Sequence, residues 1–154
     1  MQTEATRLAE QLRTAMEGDA WHGDALLQVL AGVTAEQAAA HPIPGAHSIW
    51  ELALHLRGTY GLVLRRLAGD DRQLSLDEDW PIIPASSAEN WAQALGELKR
   101  LNDELRQAVL RFPADRLDEP LVPEPAYTAY TQFIGITQHN LYHAGQIAIL
   151  RKAL

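Results

Sequence analysis

The chain has no cysteine, only 6% aromatic residues and no excess of basic charge. Without cysteine there is no disulfide, thiolate nucleophile, iron–sulfur cluster or Cys-type zinc site, so any metal must be held by His, carboxylate or water. No apolar run reaches membrane length, and Met1 to Met16 spreads Glu4, Arg7, Glu10 and Arg13 among Ala and Leu instead of forming a signal-peptide core. The expectation is a soluble, unprocessed, cytoplasmic protein without a membrane partner. Thirteen Lys and Arg stand against twenty Asp and Glu, a formal charge of −7. That balance argues against nucleic acid as a partner, which needs concentrated basic side chains. Arg65 and Arg66 are the one adjacent basic pair near the middle, read here as a solvated helix face. A Gly-rich phosphate loop and a period-two strand pattern are also missing.

What is present is helix. At 154 residues the chain suits one domain, 1–154, with a single core that buries about two-thirds of the unfolded surface. Thr3 to Met16 and Asp24 to Leu30 are Ala/Leu-rich with helical spacing, broken at Gly18-Asp19 and Gly23. Thr34-Ala35-Glu36-Gln37 forms a capping box for a short helix that Pro42 and Pro44 stop. Ser48 with Glu51 repeats the box, and Ile49, Leu52, Ala53, Leu56, Tyr60, Val63, Leu64 and Leu67 follow at core-facing spacing until Gly69. Asp70 to Pro84 reads as a long acidic crossover loop, of the length that often carries function. Ser87 caps a long helix to Leu110, and Phe112-Pro113 closes it. Four prolines keep 113–126 extended, and Thr128 or Thr131 opens a last helix to Lys152. Four long helices, a short accessory helix and one long crossover predict an all-α four-helix bundle.

The chemistry lies in six histidines: His22, His41, His47, His55, His139 and His143. His139 and His143 stand four residues apart in a helical run, which stacks both rings on one side. Two imidazoles can grip a transition metal, but a useful site needs a third ligand. Six histidines produce such a pair by chance often enough that spacing alone decides nothing, and packed or surface histidines remain the alternative. His47, Glu51 and His55 recur every four residues, yet the capping box places His47 before the helix and occupies Glu51. His22 and His41 fall in turns. His55 lies on the flank of the apolar face, where it either stands alone or meets a neighbouring helix. In the second case His55, His139 and His143 form an open three-imidazole site.

Asn140 stands where a zinc metalloprotease carries its Glu after the first histidine. No Glu lies three residues before any histidine, which excludes di-iron bundle chemistry. Gln132, Gln146 and Tyr142 are candidates to contact substrate or ligands, and Trp21, Trp50 and Trp80 are candidates for pocket walls as well as for the core. Gly135, Ala144, Gly145 and Ala148 permit close helix approach.

His47-Ser48-Ile49-Trp50-Glu51-Leu52-Ala53-Leu54-His55-Leu56, the Trp80 and Trp91 region, and Gly135-Ile136-Thr137-Gln138-His139-Asn140-Leu141-Tyr142-His143-Ala144-Gly145-Gln146-Ile147 resemble the DinB-like (DinB/YfiT) superfamily over essentially the whole chain. The resemblance implies a four-helix bundle, usually a homodimer, in which His55, His139 and His143 hold a divalent metal such as zinc or nickel. It also implies a small-molecule substrate, with a low-molecular-weight thiol joined to an electrophile as the leading expectation. Two alternatives stand beside it. One is metal-assisted hydrolysis with Asp77, Glu78 or Asp79 folded over the site as base, and the other is a noncatalytic metal-binding bundle of the stress response.

Overall fold

The computed structural model describes residues 2–154, and among these the regular structure is helical. Seven helices follow in order: α1 Glu4–Glu17, α2 Leu26–Leu30, α3 Ala35–Ala39, α4 Ile49–Leu67, α5 Leu76–Asp79, α6 Ala88–Arg111 and α7 Ala129–Lys152. The caps expected from sequence form. Thr3, Thr34, Ser48 and Ser87 accept from the backbone N–H three residues on. Thr128 caps α7 by accepting from the N–H of Thr131, so the two candidate openings are cap and capped donor. Such a cap contributes about 1 kcal/mol. Gly69, at φ 86°, reverses the chain after α4, and the N–H groups of Gly69 and Asp70 close onto the carbonyls of Arg66 and Arg65.

The four long helices form a ring in which α1 and α4 each pack against both α6 and α7. Leu8, Leu12 and Met16 of α1 meet Trp50, Leu56 and Tyr60 of α4, Leu98 and Leu105 of α6 and Phe133 and Ile147 of α7 in one buried core. Each such side chain contributes about 1.5–3 kcal/mol by leaving water. Inside the core the Asn102 amide donates to the Tyr60 hydroxyl and the Leu12 carbonyl. Trp50 with Trp91, Arg57 with Glu97 and Tyr60 with Asn102 pair in rising order, so α4 and α6 run parallel. Thr59 with His139 and Arg66 with Gln132 pair in opposite order, so α4 and α7 run antiparallel.

Parallel α4 and α6 demand a crossover as long as the helix itself, and 68–87 supplies it. The segment departs from the expected loop because Ser75 and Glu78 form a capping box that builds α5 inside it. It runs back along α4 as a strap: Gln73 reaches Arg66, Glu78 reaches Arg65, and Asp79 reaches His55. A Cβ on Gly58 would lie 2.7 Å from the Glu78 carbonyl oxygen, so the absence of a side chain there lets the strap dock. The stretch 113–126 is also less extended than expected. It contains a 3₁₀ turn at Ala114–Arg116 and folds back so that Ala129 and Tyr130 donate to the carbonyls of Glu119 and Leu117.

Two readings of single residues change. Arg66 is buried, 7% exposed, and Arg65 is partly buried, so the pair is not a solvated face. Trp21 is fully exposed and walls no pocket, whereas Trp50 belongs to the core. Among the described residues no helix is long and apolar enough to cross a membrane.

Candidate metal centre

His55 sits on α4 seven residues after the Ser48 cap, and His139 and His143 sit one turn apart on the facing stretch of α7. Antiparallel packing brings the three rings to one point. The His139 Nε2 lies 3.1 Å from the His55 Nε2 and 3.0 Å from the His143 Nε2. Among the described residues this is the one cluster of His or carboxylate ligand atoms close enough to hold a metal ion, its ligand atoms within 4.8 Å of one another.

The outer nitrogens fix how the rings are protonated. The His55 Nδ1–H donates to the Asp79 side-chain Oδ1 at 2.9 Å and backbone oxygen at 3.0 Å. The His143 Nδ1–H donates to the Gln146 Oε1 at 2.6 Å. In both rings the proton on Nδ1 leaves a lone pair on Nε2, aimed at the common centre. Thr59 spends its hydroxyl proton on the Leu56 carbonyl at 2.8 Å, so toward the His139 Nδ1, 3.5 Å away, its oxygen is the acceptor. Lone pairs converging at 3.0–3.1 Å repel unless a cation lies between them. A tetrahedral ion with nitrogen ligands at about 2.0–2.1 Å would space those nitrogens about 3.3 Å apart, close to what is seen. The donor set therefore fits a metal ion.

Electrostatics point the same way. Burial, reinforced by the neighbouring His143 and His55, pulls the His139 pKa down to about 4. Burial also lowers that of His143, against the opposing effect of the hydrogen bond it donates to Gln146. Neutral imidazole is the form that ligates.

The surroundings sort the other candidates. Trp80 lies between two histidines, stacked on His47 at 3.7 Å and on His55 at 4.2 Å, and so covers the His55 side of the triad. Glu51 accepts from the Ser48 N–H and faces His41 at 3.0 Å, so it is not available to a His47–Glu51–His55 site. Asn140 is fully buried. Gln146 holds His143, Gln132 holds Arg66, and Tyr142 is exposed with its ring 5.0 Å from that of His143. Asp79 does fold over the site, but onto the outer nitrogen of His55, a role the sequence reading did not assign. Its signal was the Ser75-Leu76-Asp77-Glu78 capping pattern, which plants α5 and fixes where Asp79 points.

One surface groove reaches the triad: about 220 Å³, it is lined by His139, Thr59, Arg66 and Gln132. A second, about 290 Å³, is walled by Ile43, His47, Leu52 and Gln146 and by none of the three histidines.

A four-helix bundle with a three-histidine, metal-competent centre between its second and last long helices is the class that fold and site define. Residues 19–147 match the family model of the DinB superfamily. The chain belongs to that superfamily, and the match spans all three histidines. No curated protein and no solved structure matched the chain.

Proposed function

We propose that the chain is a divalent-metal-dependent transferase that joins a small thiol to an electrophilic small molecule, with His55, His139 and His143 as the ligands of zinc or nickel. The observation that carries this reading is the convergence of three Nε2 atoms whose rings are held by partners on the far side, a three-protein-ligand arrangement of the catalytic kind. A bound ion would supply Lewis acidity, lowering the pKa of a thiol so that it attacks at neutral pH. The chain's own residues orient the ligands: Asp79 and Gln146 fix two ring tautomers, and Trp80 shields His55 from water. The new carbon–sulfur bond forms as the leaving group departs with its electron pair, and the thiol proton passes to solvent.

The one carboxylate at the triad, Asp79, is engaged on the outer side of His55, which leaves hydrolysis without an evident base. A homodimer is also proposed: Tyr142, Ile149 and Leu154 expose apolar surface along and beyond α7, beside the small residue Gly145.

Elemental analysis of protein purified without chelator should find about one divalent ion per chain, reduced sharply in His55→Ala. With a panel of small thiols and alkylating electrophiles that carry a leaving group, the loaded protein should consume thiol and electrophile together. Cleavage of esters or amides without thiol would replace this reading by hydrolysis, and failure to hold metal would end it.

A further inference from the structure

Arg66 is the buried arginine of the chain, and it has no carboxylate partner. Its neighbours in sequence are paired, Arg65 and Arg72 each reaching Glu78. Arg66 instead donates through Nη1 to the Gln132 Oε1 at 2.9 Å and through Nη2 to the Gln73 Oε1 at 2.7 Å, and its buried Nε has no acceptor. Among the described residues it enters no ion pair. A buried guanidinium stays charged, and leaving it without a counter-charge is costly. Neutral amide oxygens compensate it only in part.

The position of that charge gives it a use. Arg66 and Gln132 close one end of the groove of about 220 Å³ whose other end is His139 and Thr59. Val63 and Ile136, both buried, lie between them, and nothing stands within 4 Å of where a Cβ on Gly135 would be. Gln132 and His139 are two helical turns apart on α7, about 10 Å at 1.5 Å per residue. The groove is thus an open, largely apolar surface depression with a cation at one end and the triad's His139 at the other.

We propose that Arg66 anchors the carboxylate of an extended, otherwise apolar organic acid, whose far end lies at the triad. The proposal deepens the transferase reading by naming the class of its electrophile, and it rests on that reading for the chemistry though not for the binding. One guanidinium with amide neighbours matches a singly charged carboxylate, which it can engage through paired N–H groups. A phosphate dianion generally calls for more donors than this end of the groove offers. The strap that carries Asp79 to His55 also carries Gln73 to Arg66, so one segment braces both the triad and the charged end of the groove.

The test uses hexanoate and its neutral analogue hexanamide as probes, titrated calorimetrically at fixed ionic strength into metal-loaded and chelator-stripped protein. The wild type should bind hexanoate at least tenfold more tightly than hexanamide in both forms. Arg66→Met should abolish that preference while metal content stays unchanged, and Gly135→Leu should weaken both probes by filling the groove with Arg66 left in place. Hexanoate binding that survives both substitutions, or a preference that disappears when the metal is stripped, would place the carboxylate on the metal and overturn the proposal. The wild-type comparison of the two probes stands even if Arg66→Met does not fold, and equal affinity for both would overturn it too. A preference that depends on Arg66 in a protein inactive toward every thiol would sink the transferase reading alone. Thiol transfer that is indifferent to the carboxylate on its electrophile and to Arg66→Met would sink this inference alone.

Discussion

The Asp79 Oδ1 stands 2.9 Å from the His55 Nδ1, although 24 residues separate the two in the chain. The carboxylate fixes the His55 tautomer and makes the ring a better donor through its inner nitrogen, as partners of metal-ligating histidines commonly do. Asp79→Ala should therefore weaken metal affinity, measured by competition with a chromophoric chelator, by about tenfold, the lower end of the usual 10–100-fold range. The lower end is expected because the Asp79 backbone oxygen, 3.0 Å from the same Nδ1, is retained in the variant. Affinity equal to wild type would show that this carbonyl alone sets the tautomer.

Trp80 reports on the same ring. Its indole is stacked nearly parallel to the His55 imidazole, at 3° and 4.2 Å. Loading with nickel should quench part of the tryptophan emission, and Trp80→Leu should lose most of that quench while binding the same amount of metal. A full quench in the variant would mean that the emission lost on loading comes from a tryptophan other than Trp80.

Gly58 controls the strap. Alanine there would gain up to about 1 kcal/mol in helix propensity, but its Cβ would meet the Glu78 carbonyl oxygen at 2.7 Å, a backbone atom with little freedom to yield. Overpacking of this kind typically costs about 1–3 kcal/mol, so Gly58→Ala should lower the melting temperature and, by moving Asp79, weaken metal binding as well. Gly61, one turn on, has open space around its Cβ direction. Gly61→Ala should raise the melting temperature and leave metal affinity alone, and if both substitutions stabilise the protein the strap is not docked through Gly58.

The contrast between His55 and Arg66 shows what sequence could and could not reveal. Helix periodicity and capping boxes located α4 and α7 to within a residue or two, and with them the faces carrying His55, His139 and His143, because a helix fixes which residues share a side. They could not tell whether His55 met α7 or stood alone, since that depends on how helices pack. Arg66 was misread for a related reason. A charge at the border of an apolar stripe looks solvated until a strap covers it, and the strap is a crossover whose path follows from the parallel order of α4 and α6. Asp79 and Gln73 belong to that path, so their contacts are tertiary facts with only the Ser75–Glu78 box as a local trace.

The lowered pKa values of His139 and His143 set a pH dependence for the metal-free protein. For His139 the folded value is about 4 against an ordinary 6.5, so between those limits the unfolded chain binds more protons than the folded one. Stability then rises with pH through this window, is complete above about pH 6.5, and is lost progressively as the pH falls toward 4. His143, shifted in the same direction, adds to the slope. Glu51, Glu78 and Glu97, whose pKa values are also lowered, contribute their loss below the ordinary carboxylate value of 4.5. The histidine effect is therefore isolated between pH 6.5 and 5. In the presence of chelator, the urea midpoint should fall steadily over that interval for the wild type. His139→Phe should flatten the fall, because it removes the group that the unfolded state protonates and the folded state does not. An equal slope in the variant would assign the acid sensitivity to groups other than His139.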